Sequence, residues 1–508
     1  MKKIKNIFTI VVMLVLTASC DDAVNIIQDG ELPDEVTFEV EADLDKYLKG
    51  AVYSSLDASS EITFTSIFTD ELSVGISSGG QGLGLHRFFL NKSDGYAADI
   101  WLTHYTAINR VNRLLRGAED IPETDKSKST LAEARVLRAY CYLQLLSYFS
   151  TDMTDDSALG VILSDHVPVL GEKLPRVTNG EIFDFIISDL VYGEANLTKP
   201  VEGKEAYKFV SKNLINAIYA RMYLYRENYP LAKQYAQTVV STSGLSLTLG
   251  RKVVPDPAPA TTSTTSFPYR QMWADNADNG QGEIIFALSR PLEGSWGNIA
   301  GSFYFNTTNA TGGAFFEMGR NLFNLLNVNP DSRRTDFVDI TVIEDFTYAT
   351  NPDYINSDVL PINKYPGKGT QSLRNDLKIF RLSEMYFILA ECAVVEGNLP
   401  AAAGYIRDIK VARNNKDAAV PALSYASPQI AWAGILDERR MELCYEGFRY
   451  LDIKRLGVLA GKSIDRHPTD DKIKSLPTTI SNTDDRFTLP IPQNEISANP
   501  TIVQNPGY

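Results

Sequence analysis

Apolar residues recur at helical spacing in three parts of this chain. In "IWLTHYTAINRVNRLLRGA" the stripe runs through Ile100, Tyr105, Ile108, Val111, Leu114 and Leu115. In "STLAEARVLRAYCYLQLLSYFS" it runs through Leu131, Ala134, Leu137, Cys141 and Leu145. "EDIPETDKS" lies between them with Pro122 as the break, so residues 100–150 read as a helix pair. Ala217, Ala220 and Leu224, then Ala232, Ala236 and Val240, give a second pair over 211–240, turned at "ENYP". "RLSEMYFILAECAVVEGNLPAAAGYIRDIKVAR" gives a third over 381–413, turned at "EGNLP". Small alanines beside a short turn let two antiparallel helices approach closely. Elsewhere the period is lost. "VVPDPAPATTSTTSFPYRQMW" reads as loop and "GEIIFALSRP" as a short strand. Residues 293–321 mix glycine and asparagine with Trp296, Phe303, Tyr304, Phe305, Phe315 and Phe316. Loops of that composition run over the surface, so their aromatics are expected outside the ordinary core.

The N-terminus changes the picture from a plain helical protein. "MKKIKN" is basic and "IFTIVVMLVLTAS" is an apolar run of 13 residues, shorter than the roughly 20 a membrane-spanning helix needs. A basic start, a short apolar stretch and small residues before a break describe an export signal over 1–20. "LTASC" resembles the lipobox of bacterial lipoproteins, with the leucine one position early, which makes Cys20 the expected lipidated residue. Asp21 and Asp22 follow, resembling a surface-export signal. Loss of 1–20 would remove three lysines from 49 Lys+Arg, leaving 46 basic residues against 63 acidic ones. So acidic a body lacks the basic footprint of a nucleic-acid binder. Cys141, Cys392 and Cys444 fall in apolar helical stretches and read as buried small hydrophobes. None of the four histidines is spaced with Cys or Glu as in a zinc motif.

The helix pairs resemble degenerate, widely separated tetratricopeptide repeats, whose period is about 34 residues. Further stretches resemble the SusD/RagB family of outer-membrane nutrient-binding lipoproteins. They are "LDKYLKGAVYSSL", "FTDELSVG", "TAINRVNRLL" with "AEARVLRAYCYLQLLSYF", "ILDERRMELCYEGFRYLDIKRLG" and the terminal "FTLPIPQNEISANPTIVQNPGY". One departure is the long "STDMTDDSALGVILSDHVPV" where relatives carry a compact turn. The resemblance implies a mostly α fold, with tetratricopeptide-like helix pairs packed against a loop-rich irregular half holding a few short strands. It implies a tether over 21–40 and one body over 41–508, divided near 265. It implies an oligosaccharide or polysaccharide ligand, with a peptide as the alternative. Its partner would be a TonB-dependent β-barrel transporter. No cofactor is implied; a bound calcium is left open. Trp273, Trp296, Tyr304 and Asn306, with Arg87, Phe88 and Tyr96 of "HRFFLNKSDGY", are the expected ligand contacts. Aromatic faces pack on sugar CH groups while polar side chains meet hydroxyls.

The rival reading is a glycoside hydrolase, which needs two carboxylates roughly 5–9.5 Å apart. Sixty-three acidic residues offer such pairs by chance, so counting them decides nothing. No His-Glu-x-x-His occurs, and "GGQGLG" at 79–84 has no adjacent lysine. A protein-only scaffold fits the helix pairs but leaves the aromatic loops unexplained. The most charged stretch is "ERRMELCYEGFRYLDIKR", where Glu438, Glu442 and Glu446 form an i, i+4 column that repels itself. Arg439 and Arg449 are placed to bridge it, and Gly447 to end the helix. This stretch is expected to be a structural clamp between a helix pair and the loop-rich half, not a site of chemistry.

Overall fold

The computed structural model describes residues 38–255, 263–275, 281–291, 314–328, 330–369, 374–416 and 419–508. Eleven principal helices organise them. The described residues open with α1 (Glu41–Tyr47) and α2 (Ser59–Phe68). Then come α3 (Gly95–Gly117), α4 (Asp125–Phe149) and α5 (Asn179–Asn196). Each of these three starts on a side chain that takes an orphan backbone N–H. Asp94 accepts from Ala97, Thr124 from Ser127 and Thr178 from Glu181. Arg138 of α4 grips both carboxylate oxygens of Asp189 on α5 at 2.8 Å and touches Asn112 of α3 at 2.5 Å.

The α4 helix differs from the amphipathic stripe its sequence suggests. It is buried around nearly its whole circumference, Glu133, Arg138 and Gln144 included. Helices α1, α3 and α5 wall it in, so it has no wet face to mark with polar residues. Close approach is fixed at Gly193 of α5, where a Cβ would sit 2.5 Å from Val136 Cγ2 and 3.3 Å from Ile215 Cδ1. Gly193→Val is therefore expected to cost about 1–3 kcal/mol by overpacking, although valine favours helix over glycine. The readout is the midpoint of urea unfolding.

The second pair is α6 (Lys212–Tyr225) with α7 (Tyr229–Thr242), and the third is α8 (Leu382–Val395) with α9 (Leu399–Ala412). Their turns are built alike. Glu227 (φ 55°) and Gly397 (φ 73°) take the left-handed conformation. Asn228 and Asn398 then cap the next helix, which carries proline in its first turn. Helix α7 lies against α8, so the two pairs stack although more than a hundred residues separate them. Arg221 ties them, holding Glu384 at 2.6 and 2.7 Å with its guanidinium 3.6 Å over the Phe380 ring.

The charged stretch forms α10 (Pro428–Leu443) and α11 (Arg449–Ala460). The first ends four residues before Gly447, through Tyr445 (φ 61°) and then Gly447 (φ 86°). A tyrosine in that conformation is strained, and three bonds hold it. Its N–H and O–H reach Glu71, and its carbonyl accepts from Tyr365 at 2.7 Å.

Among the described residues the strands pair as four two-stranded antiparallel ladders. These are β1 (Leu72–Val74) with β7 (Phe316–Met318), β2 (Leu159–Ile162) with β3 (Arg176–Thr178), β4 (Lys252–Pro255) with β5 (Ser263–Ser266), and β6 (Ile284–Leu288) with β8 (Leu377–Arg381). The strand read in "GEIIFALSRP" is β6, buried along its length. The long segment after α4 supplies β2. Cys141, Cys392 and Cys444 are free and buried, as small hydrophobes should be.

Candidate functional site

The glutamate column is buried and fully engaged. Glu442 receives Arg381 at 2.9 Å, Arg413 at 2.7 and 3.0 Å, Arg333 at 3.2 Å and the Tyr269 hydroxyl at 3.0 Å. Glu438 receives Arg333 at 2.7 Å and Lys410 at 2.5 Å. Glu446 receives both arms of Arg381 and Lys364 at 2.6 Å. With Glu283 and Asp331 the set holds five carboxylates against Arg333, Lys364, Arg381, Lys410 and Arg413. The charges balance. Lys364 also spends its other N–H groups on the carbonyls of Glu442 and Cys444, which closes the end of α10.

The bridging arginines are not those the spacing selects. Arg439 turns to Asp452 at 2.8 Å and to Glu391 at 3.3 Å, while Arg449 grips Asp70 at 2.7 and 2.8 Å. The reason is that Glu446 lies beyond the end of α10, so the column is completed through a turn. Arginines from three other segments, Arg333, Arg381 and Arg413, then reach it. Burial alone would raise the Glu442 carboxyl, but Arg413, Arg381 and Arg333 hold it well below the usual range. A carboxylate so held is no general acid near neutral pH. Among the described residues no group of three or more His, Cys, Asp or Glu is placed to hold a metal ion.

The expected ligand contacts fare differently from one another. Trp273 is a correction. It is 1% exposed, ends a short helix over Pro268–Trp273, and packs edge-on against Tyr365 and Phe337. Its ring lies 4.4 Å from Lys364 Nζ and 5.3 Å from the Arg381 guanidinium, so it pads the charged cluster. The loop-like composition ends before it, at the proline that starts that helix. Phe88 is a second correction. It is 3% exposed with φ 63°, lies edge-on to Phe68, and sits under the Arg466 guanidinium. Its neighbour Phe89 is the outward ring, 70% exposed. A Phe-Phe dipeptide cannot show which ring turns in; the left-handed backbone at Phe88 decides it. Arg87 pairs with both oxygens of Asp471 at 3.0 Å, and Tyr96 is half-buried at the start of α3. Trp296, Tyr304, Asn306 and Cys20 lie outside the described residues, as do residues 1–37.

The described end of the aromatic segment nevertheless pairs with the chain that leads to Phe89. Strand β1 leads into the glycine-rich turn before Phe89, and β7 leads out of the segment that carries Trp296, Tyr304 and Asn306. Their ladder continues past the strands, since Gly75 N–H donates to Phe315 O at 2.9 Å and Ser77 N–H to Ala314 O at 3.1 Å. A Cβ at Gly75 would fall 2.3 Å from Ala314 O, so only glycine permits this approach. Gly75 and Phe315, 240 residues apart in the chain, are thus held side by side.

Residues 347–508 match the SusD family profile, and residues 26–224 match one described as starch-binding associating with outer membrane. SusD-like protein P2 of Formosa agariphila is 23% identical across the whole of both chains. A SusD superfamily protein from Bacteroides thetaiotaomicron superposes with a TM-score of 0.73 at 22% identity, over 92% of this chain and 100% of that one. A SusD-like carbohydrate binding protein from Bacteroides vulgatus superposes at 0.67 and 18%, over 92% and 98%.

Proposed function

This chain belongs to the SusD/RagB family of outer-membrane nutrient-binding proteins, and from that membership we propose that it captures an oligosaccharide or polysaccharide at the cell surface and hands it to a TonB-dependent barrel. The N-terminal signal would direct export, and the lipid on Cys20 with the tether that follows would hold the body on the membrane. The reading rests on one observation above the others, the β1–β7 ladder that anchors the Phe89 turn beside the aromatic segment ending at Ala314. An exposed ring beside Gly/Asn-rich chain gives a sugar an apolar plate and hydroxyl partners. The balanced burial of the glutamate cluster argues against a hydrolase built on those carboxylates.

Calorimetric titration of residues 21–508 against glycan and peptide panels tests this. A glycan should bind, and Phe89→Ala should weaken it about tenfold, ~1.4 kcal/mol, without moving the unfolding midpoint. Binding of peptides alone would replace the glycan assignment, and glycan breakdown by the purified protein would overturn the non-enzyme reading.

A further inference from the structure

A cavity of about 530 Å³ opens elsewhere on the body, at the turn between α6 and α7 and beside α11. It includes none of the residues that carry the candidate glycan loops, and its size falls within the roughly 300–1,000 Å³ of small-molecule sites. Its floor is apolar, with Leu451 and Phe487 buried there. Lys454 stands in its wall. The ammonium donates to Ser150 O at 2.8 Å and to Thr488 Oγ1 at 3.2 Å. A lysine has three N–H donors, so one remains for the cavity. No carboxylate lies within ion-pair distance of Lys454 among the described residues, in contrast to Lys364, whose three donors are all engaged. Burial draws the amine down to about 8, with Asp152 the opposing charge.

Thr151 is exposed on the lining, and its hydroxyl can both donate and accept. The mouth carries Asp152, Glu227 and Asp485, all exposed, while Asp484 is spent on Arg486. Acidic residues at the entrance repel an anion. The ammonium at the wall repels a cation and penalises a purely apolar guest. What passes both is neutral and polar, with hydroxyls that donate and accept.

We infer that this cavity is a second ligand site, which takes a small neutral polyhydroxylated molecule of one or two sugar units. Lys454 donates to one of its hydroxyls, Thr151 can accept from another, and Phe487 and Leu451 meet its CH face. The site stands on its own geometry and does not depend on what the Phe89 loops hold.

The test is calorimetry of residues 21–508 with glucose, galactose, maltose, cellobiose and lactose, and with glucuronate and glucosamine as charged counterparts. At least one neutral sugar should bind. Lys454→Met should weaken it tenfold or more. Thr483→Trp, at an exposed rim position, should block entry by a similar factor and leave the unfolding midpoint in place. Phe89→Ala should leave this binding unchanged, which separates it from the glycan site of the loops. No heat with any neutral sugar, binding confined to a charged one, or equal binding by Thr483→Trp would each overturn the assignment.

Discussion

Glu442→Gln is expected to lower folding stability by about 3–5 kcal/mol, the usual cost of removing one partner from a buried charge pair. A domain's whole margin is roughly 5–15 kcal/mol, so this one oxygen-to-nitrogen change should bring the protein close to unfolding. The reason lies in the count. Glu442 is the carboxylate that Arg333, Arg381 and Arg413 share, and all three guanidinium groups are fully buried. The amide keeps the shape but removes the charge, leaving five cations against four anions in a low-dielectric interior. It also turns an N–H group toward arginines that can only donate. Tyr269→Phe is the calibration. It removes one neutral donor to the same oxygen and should cost about 1 kcal/mol. Equilibrium urea unfolding gives both numbers, and the folded fraction of Glu442→Gln should bind any loop ligand as the parent does. A loss of affinity with no loss of stability would move this cluster from scaffold to site.

Stability should also fall as pH rises from 5 to 8. Burial pushes the carboxyls of Glu71, Glu133, Glu317, Asp336 and Asp470 up to about 7. In the unfolded chain they titrate near 4. Between those values the folded state holds more protons, so each group stabilises below its unfolded pKa and loses that contribution by the folded one. His104 acts in the same sense. Burial pulls its imidazole down, but Glu61, 2.5 Å away, outweighs this and raises it to about 10. His86 opposes them, since burial and Arg466 lower it to about 4. His467, lowered chiefly by burial, opposes them too, but two groups do not offset six. Each net proton is worth about 1.4 kcal/mol per pH unit, so the urea midpoint should drop clearly across this range. Asp336 gives the sharpest check, because its Oδ2 is buried without a partner. Asp336→Asn should be close to neutral at pH 5 and stabilising at pH 8. A midpoint that climbs from pH 5 to 8 would refute the assignment.

The sequence by itself determined the helix pairs, their turns and the family. That information is local. Periodic apolar residues, Asn-x-Pro starts and alanine faces act within one or two helical turns, so they can be read without the partner. It also required that the three like charges of the glutamate column, set in apolar surroundings, be neutralised somewhere. Which arginines do so was decided by the tertiary structure alone. Arg333, Arg381 and Arg413 lie between 29 and 109 residues from Glu442, beyond any helical spacing. The inward turn of Phe88 and the outward turn of Phe89 were decided the same way, by one left-handed residue. Trp273 was misplaced because loop composition says nothing about a proline-started turn of helix at its end. Lys454 gave no signal at all, since a lysine five residues after a helix start looks like any wet surface charge. Only when α4, α11 and the last thirty residues close around it does it become an ammonium with a donor to spare.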